Sequence, residues 1–100
     1  MRWHNNLEYE MSETSLIPDR PKLSRRFRLQ YEEAQSRWVL LYPEGMVQLN
    51  DSAAEILKRC DGLRSLQAIV AELETAFGAQ DLKPQVVSLL EEGQRRGWIE

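Results

Sequence analysis

The apolar residues of this 100-residue chain change their spacing once, at residue 50. Before that point they recur every second residue, the period of a strand with one face turned inward. After it they recur at steps of three and four, the period of an amphipathic helix. Phe27, Leu29 and Tyr31 alternate with Arg28, Gln30 and Glu32. Glu33-Ala34-Gln35-Ser36 is a polar stretch suited to a hairpin loop. Trp38-Val39-Leu40-Leu41-Tyr42 is aromatic and β-branched, and its apolarity on both faces predicts a strand covered on both sides. Pro43-Glu44-Gly45 reads as a turn, with Pro fixing φ and Gly permitting a positive φ. Met46 to Leu49 forms a short third strand. Three strands joined by tight turns make an antiparallel meander.

Three helices follow. Asn50, Asp51 and Ser52 are all good helix N-caps, and Ser52 with Glu55 has the spacing of a capping box. Ala53, Ile56, Leu57 and Cys60 form the inward stripe of the first helix, with Gly62 as its left-handed stop. Ser65 caps the second, whose stripe is Leu66, Ile69, Val70, Leu73 and Phe77 and whose end is Gly78. Asp81 caps the third, Pro84 is tolerated in its first turn, and Gly97 ends it before Trp98 and Ile99 pack back on the body. The fold class predicted is α+β, in the order β-β-β-α-α-α.

Charge divides the chain differently. Residues 1–19 carry a net −3, residues 20–37 a net +4 and residues 38–100 a net −4, summing to −3. The first of these has no periodic apolar pattern and runs into Pro18 and Pro21, so residues 1–20 read as a flexible N-terminal arm and 21–100 as the folded domain. Met11 offers an alternative start, and Trp3 and Tyr9 could make the arm adhesive. No apolar run reaches the roughly 18–20 residues of a membrane span, and no signal-peptide segment is present. A single cysteine, Cys60, forms no internal disulfide and fits a reducing, cytoplasmic setting. The lone His4 lies far from it along the chain, which makes a His/Cys metal or catalytic pair improbable. The acid pairs Glu32/Glu33, Glu91/Glu92 and Asp51/Glu55 lack a neighbouring His or nucleophile. A domain this small has little volume for a deep active site. The expectation is a binding protein, not an enzyme, with no metal and no cofactor.

The third helix carries a wide apolar arc. With Leu82 at 0° and about 100° per residue, Val86, Leu89 and Gly93 fall near it, Leu90 lies near 80° and Val87 near 140°. The arc spans about 160°, beyond the roughly 100° of a helix facing one core. Two uses of the surplus are open. Val87 and Leu90 either pack on the sheet and the returning Trp98, or, bordered by Lys83 and Gln94, line a groove beside the third strand. That strand ends the meander, and an edge strand leaves N–H and C=O groups unpaired. An extended peptide could add to it as a further strand. The same edge could instead serve strand exchange between two copies, so a monomer and an exchanged dimer are both open.

Several blocks resemble the PqqD family: Arg20-Pro21-Lys22-Leu23-Ser24, Phe27-Arg28-Leu29-Gln30, Glu32-Glu33-Ala34-Gln35, Val39 to Val47, Leu49-Asn50, Ser52 to Leu57, Cys60-Asp61-Gly62, Ser65, Ile69-Val70, Leu73 and Arg96 to Ile99. The resemblance covers about residues 20–99. It implies a winged-helix-like fold and a non-catalytic peptide chaperone of pyrroloquinoline quinone biosynthesis. It implies that the precursor peptide PqqA lies along the third strand and against the third helix. It implies presentation of that peptide to PqqE, the radical S-adenosylmethionine enzyme, to which the iron–sulfur clusters belong. Mapped by element, the implied peptide-binding residues are Met46, Val47, Gln48, Leu49, Asn50, Lys83, Val87, Leu90 and Gln94. Gln85 stands where the family is associated with an acid, so a contact made by that acid does not transfer. The rival from another class is a winged-helix DNA-binding regulator. Its third helix would have to read bases past Glu91 and Glu92, and the chain lacks the basic pI of a DNA footprint. No nucleic-acid or membrane partner is expected.

Overall fold

A computed structural model describes residues 17–100. Strands β1 (Arg28–Glu32), β2 (Arg37–Tyr42) and β3 (Gly45–Gln48) form one antiparallel sheet in the order β1-β2-β3. Helices α1 (Asp51–Lys58), α2 (Leu66–Phe77) and α3 (Lys83–Arg95) follow. The change of period at residue 50 is therefore the junction between sheet and helices.

Alternation sets the register. Leu29 pairs with Leu40 and Leu40 with Val47, so one apolar row crosses the inner face of all three strands. Tyr31 opposes Trp38 with ring centroids 5.4 Å apart, edge to face, and Lys58 Nζ lies 4.4 Å from the centre of the Trp38 ring. Val39 and Leu40 point to opposite faces and both are sealed from solvent. The middle of β2 is thus covered on both sides, as its apolarity predicts. The core joins Leu40 and Leu49 to Ala54, Ile56 and Leu57 of α1, Ile69 and Leu73 of α2, and Val86 and Leu90 of α3.

Several local expectations are corrected. Gly45 does not adopt a positive φ; a Cβ there would lie 3.2 Å from Tyr42 Oη, so close approach is what a side chain would disturb. Asn50, not Ser52, caps α1: its Oδ1 accepts from the Ala53 N–H at 2.8 Å. The Ser52/Glu55 capping box does not form, because the Glu55 carboxylate is held by Lys58 and Arg59. The first helix also stops at its C-cap Arg59, short of Gly62. Gly62, at φ +80°, instead donates its N–H to the Pro21 carbonyl at 3.0 Å. Asp81 does not cap α3 either. It adopts φ +60°, and the Leu82 N–H is met at 3.1 Å by Glu74 Oε2 from the last turn of α2.

Three helix ends behave as predicted. Ser65 Oγ caps α2, and Gly78, in the left-handed region, closes it. Gly97, at φ +80°, closes α3: Trp98 N–H donates to Gly93 O at 2.7 Å and Gly97 N–H to Gln94 O at 3.2 Å, the paired bonds of a Schellman motif. This reversal carries Trp98 and Ile99 back over Gly93, where a Cβ would stand 2.9 Å from Ile99 Cγ1.

The boundary at residue 20 also moves. Ile17 is only 6% exposed and belongs to the core, the Asp19 carbonyl accepts from Leu66 N–H at 3.1 Å, and Arg20 donates to the Leu63 carbonyl. Residues 17–20 therefore belong to the folded body. Leu23 bridges Ile99 and Lys22 bridges Asp61, so the 21–24 segment is clamped between the chain's last residues and the α1–α2 loop. The rest of the expected arm, with Trp3, His4, Tyr9 and Met11, lies outside the described residues.

Candidate functional site

Among the described residues the outer edge of β3 has no strand partner, and which groups face it follows from the pairing with β2. Leu49 N–H donates to Trp38 O at 3.0 Å, and residues directly opposite in an antiparallel ladder alternate between bonded and non-bonded pairs. Counting back from Leu49, Val47 and Gly45 turn their N–H and C=O groups toward β2. Met46 and Gln48 turn theirs away from it. Their main-chain groups face the edge that no strand of the sheet covers.

Beside that edge lies a groove of about 1090 Å³. One wall runs from Val47 to Ala53 and Ile56; the other is built from Leu82, Gln85, Val86, Leu89, Glu92 and Arg96, with Leu73, Phe77 and Trp98 at its floor and ends. The α3 residues at this wall recur every three or four positions and so occupy one face of the helix. The volume lies just above the roughly 300–1,000 Å³ of small-molecule sites. The groove adjoins an edge whose main-chain groups have no strand partner among the described residues. That combination suits a segment of extended chain.

The nine residues expected at the site divide. Val47, Gln48, Leu49 and Asn50 all line the groove, and Met46, 47% exposed, stands at its edge strand. Leu49 does so from below, because its side chain is 4% exposed and belongs to the core. Asn50 is already engaged by its capping bond to Ala53. Gln48 is braced: its side-chain oxygen accepts from Arg37 at 3.1 Å and its nitrogen donates to Gln35 at 3.0 Å. The helix residues require correction. Leu90 is sealed from solvent in the core, Val87 is half-buried against it, and Lys83 and Gln94 are exposed. None of the four lines the groove. The wide apolar arc is real, but its surplus side packs inward, the first of the two uses left open.

The groove sits on the opposite flank of α3, where Gln85, Leu89 and Glu92 lie. An apolar count could not find it, because that flank mixes Leu82, Val86 and Leu89 with Gln85, Glu92 and Arg96. Phe77 was missed as well. It continues the α2 stripe in sequence but is 57% exposed, at the groove.

The groove's charges are largely paired. Glu92 meets Arg96 at 2.8 Å, with the Arg96 guanidinium 5.5 Å from the centre of the Trp98 ring. Glu55 meets Lys58 and Arg59, each at 2.9 Å, and these bonds hold its carboxyl below the usual value despite some burial. Arg59 continues to Glu72 at 3.3 Å, Glu72 to Arg64 at 2.8 Å and Arg64 to Asp61 at 2.9 Å, tying α1 to α2. Asp61 is also held low, by the Leu63 and Arg64 N–H groups it accepts. Among the described residues no three His, Cys, Asp or Glu side chains are grouped so as to hold a metal ion. No helix among them is long and apolar enough to cross a membrane.

Comparison with known proteins is decisive for the family. The model of the family "Coenzyme PQQ synthesis protein D (PqqD)" matches residues 37–99. The chain belongs to the PqqD family. The match takes in β2, β3 and all three helices, and hence both walls of the groove. A relative in Azotobacter vinelandii, named a PqqA binding protein, is 55% identical over 91 residues, covering 90% of this chain and 98% of the relative. Two solved PqqD structures share the fold. One is the solution structure of the PqqD part of Methylobacterium extorquens PqqCD, described as a functional, stand-alone recognition element for ribosomally synthesized and post-translationally modified peptides. It is 29% identical, with a TM-score of 0.68, covering 80% of this chain and 87% of that one. The other, PqqD from Xanthomonas campestris, is 32% identical, with a TM-score of 0.54 over 78% and 89%. The PqqD fold, in this chain three antiparallel strands followed by three helices, is thus shared with both.

Proposed function

We propose that this PqqD-family protein is a non-catalytic peptide chaperone that binds the precursor peptide PqqA along β3 and presents it to the radical S-adenosylmethionine enzyme PqqE, in the cytoplasm. The observation that carries this reading is the edge of β3: Met46 and Gln48 direct unpaired main-chain groups along a groove walled by α3. The name borne by its relatives supplies the peptide. The bound segment adds a fourth strand, exchanging main-chain hydrogen bonds with Met46 and Gln48. Its alternate side chains enter the groove between Val47 and the Gln85–Leu89–Glu92 face. Catalysis, the iron–sulfur clusters and S-adenosylmethionine belong to PqqE.

Amide chemical-shift mapping with a synthetic PqqA peptide tests the site. The largest changes are expected at Met46 to Asn50 and at Gln85, Leu89 and Glu92. Changes clustered on the α1–α2 loop, or at Lys83 and Gln94 without Gln85 and Leu89, would refute the assignment. Presentation is tested by adding PqqE to the labelled pair. Signals of the peptide-bound domain should broaden further as a ternary complex forms, and release of PqqA on adding PqqE would refute it.

A further inference from the structure

Phe77 is the one large apolar side chain of the α2 stripe that the core does not take. Ile69 and Leu73, two and one turns earlier on that stripe, are buried, while Phe77 is 57% exposed. It is not stranded on an open surface, since it borders the same groove as the β3 edge. Leu73, one turn earlier on α2, and the half-buried Leu82 and Leu89 line the same groove. The bond from Leu82 N–H to Glu74 Oε2, at 3.1 Å, ties the start of α3 to the last turn of α2, which carries Phe77. Gly78, directly after it, ends the helix in the left-handed conformation and leaves the aromatic ring on the final turn. An exposed aromatic fixed at the rim of a concave apolar surface is the usual anchor of an interface.

We propose that Phe77, with Leu73, Leu82 and Leu89, forms an apolar subsite that takes one large apolar side chain of the bound peptide, outside the stretch paired with β3. This rests on the strand-addition reading and extends it. The β3 edge reads only main chain, which every peptide has, and β3 is four residues long. The Phe77 subsite adds recognition of a side chain beyond that stretch.

The test uses the full chain and a synthetic PqqA peptide, with affinity measured calorimetrically. Phe77→Ala should weaken binding about tenfold, leave the circular dichroism and melting temperature unchanged, and leave the affinity's salt dependence unchanged. Phe77→Leu should recover most of the loss. Replacing the peptide's apolar residues by Ala one at a time should reveal one position whose loss is no longer additive with Phe77→Ala. Wild-type affinity in Phe77→Ala, with Met46 and Gln48 amides still shifting, would overturn the subsite and leave strand addition standing. Absence of those β3 shifts in the wild-type protein would overturn strand addition itself.

Discussion

Cys60 is the chain's only thiol. It is 5% exposed, packed at the end of the α1 stripe, with Sγ donating to the Ile56 carbonyl at 3.4 Å. Burial, with a smaller effect from the Asp61 carboxylate, pushes the thiol up to about 12 from 9.0. A thiol that is harder to ionise in the folded than in the unfolded chain stabilises the fold fully below the unfolded value. That contribution is lost as pH rises from about 9 toward 12, by up to about 1.4 kcal/mol per pH unit. Denaturant melts at pH 8 and pH 10.5 should therefore show a larger loss of stability in the wild type than in Cys60→Ala. At neutral pH the native protein should resist thiol reagents that label the unfolded chain at once. Equal pH dependence in the two proteins would show the thiol to be already ionisable in the fold.

At the level of the element, the beginning of α1 separates two readings of one stretch. Asn50, Asp51 and Ser52 are all competent caps by residue type, and only the path of the chain out of β3 chooses between them. Asn50 has extended backbone and bonds Ala53. Asn50→Ala should cost about 0.5–2 kcal/mol in equilibrium unfolding. Ser52→Ala should lie within about 0.5 kcal/mol of the wild type, as surface changes away from such features do. The reverse order would restore the capping box. The same distinction explains what could be read in advance. Strand and helix order, both tight hairpins, the Ser65 cap and the Gly78 and Gly97 stops depend on local chemistry and were visible in the residues. The start of the third helix after Asp81 was not, because the partner of the Leu82 N–H is Glu74, eight residues back on another helix. Likewise the arc of α3 could be measured, but not which side of it the body would cover. Leu90 and Leu89 are equivalent by composition, and only packing makes one core and the other wall.

Across the whole molecule, the folded body is closed by its own ends. Lys22 and Glu100 exchange main-chain hydrogen bonds at 3.3 and 2.8 Å, and Ser24 N–H donates to Trp98 O at 2.7 Å. Trp98 and Ile99, each 5% exposed, are core residues supplied by this tail. Deleting residues 98–100 removes both, a loss of about 3–6 kcal/mol at roughly 1.5–3 kcal/mol for each buried apolar side chain. Native domains have only about 5–15 kcal/mol in hand. The shortened chain should lose its cooperative calorimetric transition, or melt far below the wild type. Retention of the wild-type melting temperature would show the tail to be dispensable.

The same closure has a mechanical side. Residues 22–24 run antiparallel to 98–100, with the outward-leading ends of both segments at the Lys22–Glu100 end of the pair. Tension applied at Lys22 itself and after Glu100 would load these bonds one at a time, as in a zip, and not all together in shear; a tether further upstream would first load the anchorage of Ile17, Asp19 and Arg20. Pulled in this way, the clamp would carry Trp98 out of the groove before the load reached the sheet.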